Sequence, residues 1–434
     1  MNNEVRPYPK KIKVLHLIKS LGRGGAEKLI PETALVHNQT IFEFHCIYFY
    51  HQENNIVDEL ESAGIKVQLI PSGNLALFFQ VKKVREFILT HQIDIIHAHL
   101  PWAGILARSV GNKLKTPIVY TEHNTWERYN KLSYWGNRIS FKKQDVAIAV
   151  SNEVALSMRL NSIWDPYRRG DRMKLKVIQN GVNTEVFVRE KNYQRGKTQV
   201  SKIQNQESRE QTEVVKDQIR SLQTKKIEKL DTDLISEAFL LKTQLGIPND
   251  SPVMGKVAVF RSQKRLWLWV EIALAILKEC PQAHFLLVGD GEWRERILDQ
   301  IEHSGKSANF HWVGVQKNVV PYLSIMDIYL SSSEFEGLPI AMLEAMSCEV
   351  AVVGTSAGGI GEVIQHGIQG YLTEIDKWQN IAPLCISLIN DPKLLTQMKK
   401  ASRERVIADF SMKKMVKELE EVYYQVVENA KQNN

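Results

Sequence analysis

The sequence predicts an α/β protein of two doubly wound, Rossmann-like domains facing each other across a cleft. Three observations carry this. Short apolar runs alternate with longer amphipathic segments over residues 1–187, the pattern of strand–helix–strand units in a parallel sheet. The same alternation returns after residue 250. Between the two halves, from Glu190 to Asp233, the composition changes abruptly to Gln, Lys, Arg and Glu with few aromatics. A chain of 434 residues is long enough for two such cores.

The elements follow in order. In the first half, runs at 13–18, 42–49, 66–70, 93–98, 118–121, 146–150 and 174–178 read as strands, with helical segments such as 78–91 and 102–113 between them. Pro31 lies early in the helix after the first strand and is expected to shorten or kink it. The charged stretch forms part of a linker at 188–245. Within it Val215, Ile219, Leu222, Leu230 and Leu234 fall near helical spacing, and the rest reads as solvated or disordered. The second domain is expected at 246–411, with strands at 253–259, 284–288, 309–313, 328–330 and 350–353. Two helices close the chain, split near Phe410-Ser411, where Ser411 is a suitable N-cap. Val416, Leu419, Val422, Tyr423 and Val426 give the last helix, at 412–429, one apolar face.

Composition narrows the function classes. With 44% apolar and 24% charged residues and no run near the length of a membrane span, the chain reads as a soluble protein. A polar, basic start and an apolar run too short for a signal core predict a cytoplasmic location. Cys46, Cys280, Cys348 and Cys385 are scattered without metal-type spacing, which suits a reducing compartment. A net charge of +7 favours anionic partners such as nucleotide or lipid phosphates. The basic residues are not gathered into one recognition element, so nucleic acid is not expected.

The most informative segment runs from Glu336 to Met346. Glu336 falls in the loop at a strand's carboxyl end, and Glu344 about two turns into the next helix. Ligands bind at that edge of doubly wound sheets, and two carboxylates facing one crevice suit a polyhydroxylated ligand such as a sugar or ribose. The plain alternative is a surface Glu and a helix-face Glu with no common ligand. Other loops at strand ends point to an anion. Leu21-Gly22-Arg23-Gly24-Gly25-Ala26-Glu27-Lys28 lets backbone amides approach a ligand ahead of a helix N-terminus. Phe260-Arg261-Ser262-Gln263-Lys264-Arg265 places cations at another. Gly-rich turns recur around Gly289 and at Ala357-Gly358-Gly359-Ile360-Gly361-Glu362. His97, His99 and His123 sit at strand ends without metal-ligand spacing, so cleft hydrogen bonding or a structural role is expected rather than a metal. Asp231-Thr232-Asp233 follows no strand, and its resemblance to an Asp-x-Asp metal motif is read as coincidence.

Taken in order, these elements resemble the family 4 retaining glycosyltransferases of the GT-B fold. The matching stretches are Gly24-Gly25-Ala26-Glu27, Ile96-His97-Ala98-His99, Thr121-Glu122-His123-Asn124, Ala149-Val150-Ser151 and Ile178-Gln179-Asn180-Gly181-Val182-Asn183. They continue with Gln263-Lys264, Val288-Gly289-Asp290-Gly291, Glu336 to Met346 and Gly358-Gly359-Ile360-Gly361-Glu362. The resemblance implies transfer of a hexose-type sugar from a nucleotide-sugar donor to a glycan or lipid-linked acceptor, with retention and without metal or other cofactor. It implies catalytic roles for Glu336, His123 and Lys264. Donor contacts are implied for Lys264, Arg261, Glu344, Gly289, Gly358, Gly359, Ile360, Gly24 and Gly25. The final helix is expected to cross back onto the first domain. Two positions depart from the family: Val259 stands where an Arg is usual, five before the Lys, and Glu349 where Gly is usual. Arg261 is the candidate to replace the missing Arg.

The acceptor side is less defined. His97, His99, Trp126 and Arg128 are the candidates, and the aromatic, basic segment 126–135 suits a lipid-linked acceptor or peripheral contact with an anionic membrane. The alternative for that segment is a half-buried helix. Two competing functions share the fold: a catalytically weak or inactive scaffold subunit, suggested by Val259, and a nucleotide-sugar epimerase.

Overall fold

The structure is a computed structural model that describes residues 10–73, 76–158, 174–190 and 237–432. Each half holds an all-parallel sheet covered by helices on both faces. The first sheet has seven strands in the order β3-β2-β1-β4-β5-β6-β7. They are β1 (Ile12–Ser20), β2 (Phe42–Tyr50), β3 (Lys66–Leu69), β4 (Ile95–His99), β5 (Ile118–Glu122), β6 (Val146–Ala149) and β7 (Lys174–Val177). The second has six, in the order β10-β9-β8-β11-β12-β13. They are β8 (Val253–Val257), β9 (His284–Val288), β10 (Phe310–Trp312), β11 (Ile328–Ser331), β12 (Ala351–Thr355) and β13 (Gly370–Thr373). Central strands buried on both faces read as near-continuous apolar runs, as β6, β9 and β12 do.

In both sheets the strand order reverses beside the first strand. β1 pairs with β2 and β4, Val14 lying between Phe44 and Ile95. β8 pairs with β9 and β11, Met254 lying between Phe285 and Ile328. The crevices outside the carboxyl ends at these two reversal points face each other, and that positions the site.

Several sequence expectations are adjusted. The expected strand at 253–259 ends at Val257, because Ala258 to Arg261 turn over the sheet edge. The segment at 78–91 divides into a 3-10 turn, Ala76–Gln80, and the helix Val81–His91. Pro31 neither ends nor shortens its helix, which runs over Gly25–Val36 with Pro31 buried inside it. β13 was not anticipated; it is a short edge strand, mostly half-buried, so its apolar signal is weak. The charged segment's helical spacing and Asp231 and Asp233 lie outside the described residues. Its two flanks are in contact, since Ala238 N donates to Glu190 Oε2 at 2.9 Å.

The last helix, Met412–Gln432, starts after Ser411, whose hydroxyl accepts from Lys414 N at 3.4 Å. Its apolar face is buried among side chains of the first sheet, including Val14, Phe42 and Ile95. Backbone bonds fix the crossover: Val182 N donates to Phe410 O at 2.9 Å and Met412 N to Val182 O at 2.8 Å.

Candidate active site

A cavity of about 320 Å³ occupies the cleft, lined by loops from both sheets. That is the lower end of the roughly 300–1,000 Å³ typical of small-ligand sites. The first domain contributes Arg23 to Lys28 after β1, Leu100 after β4, and His123 and Asn124 after β5. The second contributes the loops after β8, β9, β10 and β11, with Arg261, Lys264, Gly289, Gln316, Glu336 and Glu344. Leu100 holds a left-handed backbone (φ 67°) where it lines the cavity, a conformation that costs a branched side chain energy.

Glu336 is 6% exposed and fully engaged. Lys264 Nζ donates to its Oε2 at 2.5 Å, and Ser333 Oγ to its Oε1 at 2.7 Å. A second lysine, Lys256, lies behind it with Nζ 3.8 Å from Oε1. Burial pushes the Glu336 carboxyl up, but the two lysines and Ser333 outweigh burial and hold it below the usual range. Gly337 lets this loop meet the first domain, since a Cβ there would stand 2.3 Å from His123 O. Gly358, Gly359 and Ile360 pack behind the same loop and do not line the cavity. Gly359 N donates to Gly337 O at 2.9 Å, a Cβ on Gly358 would come within 1.8 Å of Glu336 O, and Ile360 is 1% exposed. The structure brings these three to the back of the Glu336 loop, where they hold Glu336 in place.

Glu344 lies just over one turn, not two, into the helix Ile340–Ser347, which follows Pro339 at its N-cap position. It lines the cavity, is 2% exposed, and its Oε1 has no hydrogen-bond partner. Burial raises its pKa, and Lys28 opposes this. Glu32, on the first domain's helix, is raised by burial and by the Glu344 charge, so the facing carboxyls hold protons more tightly than ordinary ones. A buried carboxylate oxygen with no partner is costly unless something fills the role.

Arg261 lines the cavity beside Lys264. It sits in the turn beyond β8, not on a continued strand, so no strand register fixes its direction. No described residue hydrogen-bonds its guanidinium, and its charge acts on Glu27 across the cleft. Arg265 instead turns inward, donating to Ser332 O at 2.8 Å and Ile375 O at 3.1 Å. Gly24 and Gly25 line the cavity at the start of their helix, so its first amides face the cleft. Gly289 lines it from above with φ 127°, and a Cβ there would lie 2.0 Å from Ala258 O.

His123 lines the cavity, but His97 and His99 do not. His97 and His99 form, with His16, a buried cluster behind it, and half-buried His123 joins that cluster to the cavity. His99 Nδ1 lies 3.5 Å from His123 Nε2, and His99 Nε2 lies 3.0 Å from His16 Nδ1. His97 is held by Tyr423 Oη and Thr121 Oγ1, both at 2.7 Å. Burial lowers the pKa of His16 to about 3 and of His123 to about 4, and that of His97 and His99 well below the ordinary value. Ring nitrogens of His16, His97 and His99 lie within 4.8 Å of one another, close enough for metal ligands. Both nitrogens of His97 are taken by hydroxyls, however, and its ring stacks on His99 with centroids 4.3 Å apart, so hydrogen bonding accounts for the cluster. His97 and His99 are thereby corrected from acceptor contacts to supports beneath His123.

Trp126 is corrected in the same way. It is 1% exposed, and its Nε1 donates to the buried Glu122 Oε2 at 3.0 Å. Glu122 also accepts from Tyr120 at 2.6 Å and from Tyr129, and this need for donors draws the aromatic segment inward. Arg128 stays at the cleft mouth, its guanidinium 3.7 Å over the Phe335 ring, which lines the cavity.

Two family models match the chain. Glycosyltransferase Family 4 covers residues 24–186, and Glycosyl transferases group 1 covers residues 239–405. The chain is a family 4 glycosyltransferase. The glycosyltransferase is 36% identical to N-acetyl-alpha-D-glucosaminyl L-malate synthase of Bacillus anthracis over 44% of this chain and 50% of that one, so this match spans half of the relative's length. It is 22% identical to an Escherichia coli UDP-Gal:alpha-D-GlcNAc-diphosphoundecaprenol alpha-1,3-galactosyltransferase over 96% of this chain and 98% of that one. Among solved structures, Anabaena HepE, in complex with UDP and glucose, superposes with a TM-score of 0.74 at 20% identity, covering 95% of this chain and 100% of that one. This likeness shows the GT-B fold.

Sequence reading of the glycosyltransferase gave no role to four contributors. Lys256 and Ser333 brace Glu336, and Asn180 Nδ2 donates to Leu338 O at 2.9 Å across the cleft. Glu362 accepts from Asn152 Nδ2 at 2.8 Å and Gln179 Nε2 at 2.9 Å, tying the Gly-rich loop to the first domain. Partners so distant in sequence leave no local signal; only a lysine within an apolar strand marked Lys256. Of the two departures from the family pattern, Val259 lines the cavity and Glu349 takes φ 56°, the left-handed backbone that glycine adopts freely.

Proposed function

We propose that this glycosyltransferase moves a hexose-type sugar from a nucleotide-sugar donor to a glycan or lipid-linked acceptor, with retention of configuration and without a metal. The observation that carries this reading is the joint lining of one cleft by a cation pair, Arg261 and Lys264, and a carboxylate pair, Glu336 and Glu344. Breaking the anomeric bond puts negative charge on the departing diphosphate. Lys264, Arg261 and the amides at the start of the helix Gly25–Val36 supply positive potential there. Glu344, in the cavity wall, is suited to accept from ribose hydroxyls, and Glu336, in the same wall, to face the transferred sugar. His123 reaches the same point from the first domain. For retention, the acceptor oxygen bonds to the anomeric carbon on the face the phosphate leaves, and the phosphate oxygen takes the acceptor's proton. HepE crystallised with UDP-glucose, and the galactosyltransferase named for a diphosphoundecaprenol acceptor, support a UDP-sugar and a lipid-linked acceptor respectively.

The helix Lys131–Ser140 supports contact with an anionic membrane at the cytoplasmic face. Leu132, Trp135 and Ile139 are exposed on it, and Lys131, Lys142 and Lys143 are exposed around them. No helix among the described residues is long and apolar enough to cross a membrane. Activity is expected to survive EDTA, because cations and amides rather than carboxylates gather at the phosphate position. Complete loss with EDTA, restored by Mg²⁺ or Mn²⁺, would oppose the metal-free mechanism. Product anomers read by NMR test retention.

A further inference from the structure

Lys256 is a lysine where the fold gains nothing from a charge: burial lowers its ammonium to about 7, and the Glu336 carboxylate opposes the fall. It sits on β8 in the middle of the second sheet, is 1% exposed, and does not line the cleft. Its Nζ donates to Ser331 Oγ at 2.7 Å and Ser333 Oγ at 3.3 Å, lies 4.9 Å from the Tyr329 ring centroid, and stands 3.8 Å from Glu336 Oε1. Glu336 therefore has two cations on opposite sides. Lys264 approaches Oε2 from the cleft with its side chain 17% exposed, and Lys256 approaches Oε1 from inside the sheet. Serine hydroxyls alone satisfy a buried polar group, but they do not neutralise a buried carboxylate.

The two lysines are not equivalent once a donor enters. Lys264 is the group that can reach a diphosphate, and a phosphate competes with Glu336 for its three donors. Lys256 is enclosed and cannot follow. We propose that Lys256 is the standing counter-ion of Glu336: Lys264 turns from the carboxylate to the donor diphosphate, and Lys256, bridged by Ser331 and Ser333, keeps Glu336 ionised and in place meanwhile. Lys256 is thus a positioning residue, acting through Glu336. The inference rests on the reading of Lys264 as the diphosphate ligand. The groups acting on Glu336 are Lys256 on β8, Lys264 in the turn after it, Tyr329 on β11, and Arg128 from the first domain.

The test compares Lys256→Met and Lys256→Arg with wild type and Lys264→Ala in pH profiles of kcat at saturating donor. Lys256→Met should lose activity on the acid side of neutrality first, by about tenfold relative to wild type per unit of upward shift in the Glu336 carboxyl, with a smaller change in KM. Lys256→Arg should restore the profile. A Lys256→Met profile that superimposes on wild type overturns the proposal, as does loss of activity by the same factor at every pH. Lys264→Ala separates the two failures. Unchanged donor KM there removes the diphosphate reading, whereas a raised KM with a wild-type Lys256→Met profile removes only the counter-ion. If Lys256→Met does not fold, NMR of the lysine side-chain carbons in wild type decides. Lys256 should remain charged at neutral pH when UDP is added, and a neutral Lys256 in that complex overturns the proposal.

Discussion

Glu344 and Arg261 give the sharpest tests at single residues. Glu344 lines the cavity, so Glu344→Ala should weaken donor binding by about 1.5 to 3 kcal/mol, the range for a charge-assisted hydrogen bond. That is roughly a 10- to 150-fold rise in donor Kd, measurable by titration with the nucleoside diphosphate. Unchanged affinity would place the ribose elsewhere. Arg261 has no described hydrogen-bond partner and shares the cavity wall with Lys264. Arg261→Ala and Lys264→Ala should each raise donor KM and lower kcat, and the double variant should lose less than the product of the two if both serve one diphosphate. Wild-type kinetics in Arg261→Ala, with Lys264→Ala inactive, would show that the enzyme works with one cation fewer at the position where Val259 departs from its family.

At the scale of elements, the histidines of β1 and β4 and the one after β5 tie stability to pH. Burial holds His16, His97, His99 and His123 neutral well below the ordinary value of 6.5. The unfolded chain takes up protons below about 6.5 and the folded chain does not, so stability should fall as pH drops from there and level off only near the lowered values. Each such histidine contributes a slope of up to about 1.4 kcal/mol per pH unit. Denaturant unfolding of His16→Asn should show a shallower loss than wild type between neutral and mildly acid pH, and an identical slope would mean His16 is already charged in the fold. The strand grammar and the loops at strand ends were legible from sequence because apolar period and Gly or basic turns are local signals. Side-chain direction was not. Trp126 reads as a cleft aromatic until Glu122, buried behind it, is seen to need its indole N–H. His97 and His99 look like cleft ligands until Tyr423, more than three hundred residues away, claims one of them. Lys256 gains its meaning only from Ser331 and Glu336, which sheet pairing brings to it.

For the whole molecule, the two halves are joined by contacts of Asn180 and Glu362 and by the last helix, none of which belongs to the charged segment. The flanks of that segment already touch through Glu190 and Ala238. Replacing residues 192–232 with a short linker should therefore leave thermal unfolding and donor binding close to wild type, and insoluble protein would show that the segment packs on a domain or a partner. The surface around Leu132, Trp135 and Ile139 predicts sedimentation with vesicles containing anionic lipid, reduced by salt and by Trp135→Glu; equal binding to neutral vesicles would remove the electrostatic part. The central claim, glycosyl transfer from a nucleotide sugar, is tested most directly by release of nucleoside diphosphate from a panel of UDP-, GDP- and ADP-sugars. Wild type is predicted to release it from at least one member, with Glu336→Ala slowed at little change in KM. Tight binding of a nucleotide sugar with no release from any member, with or without glycan and lipid-linked acceptors, would contradict the claim and favour a scaffold subunit.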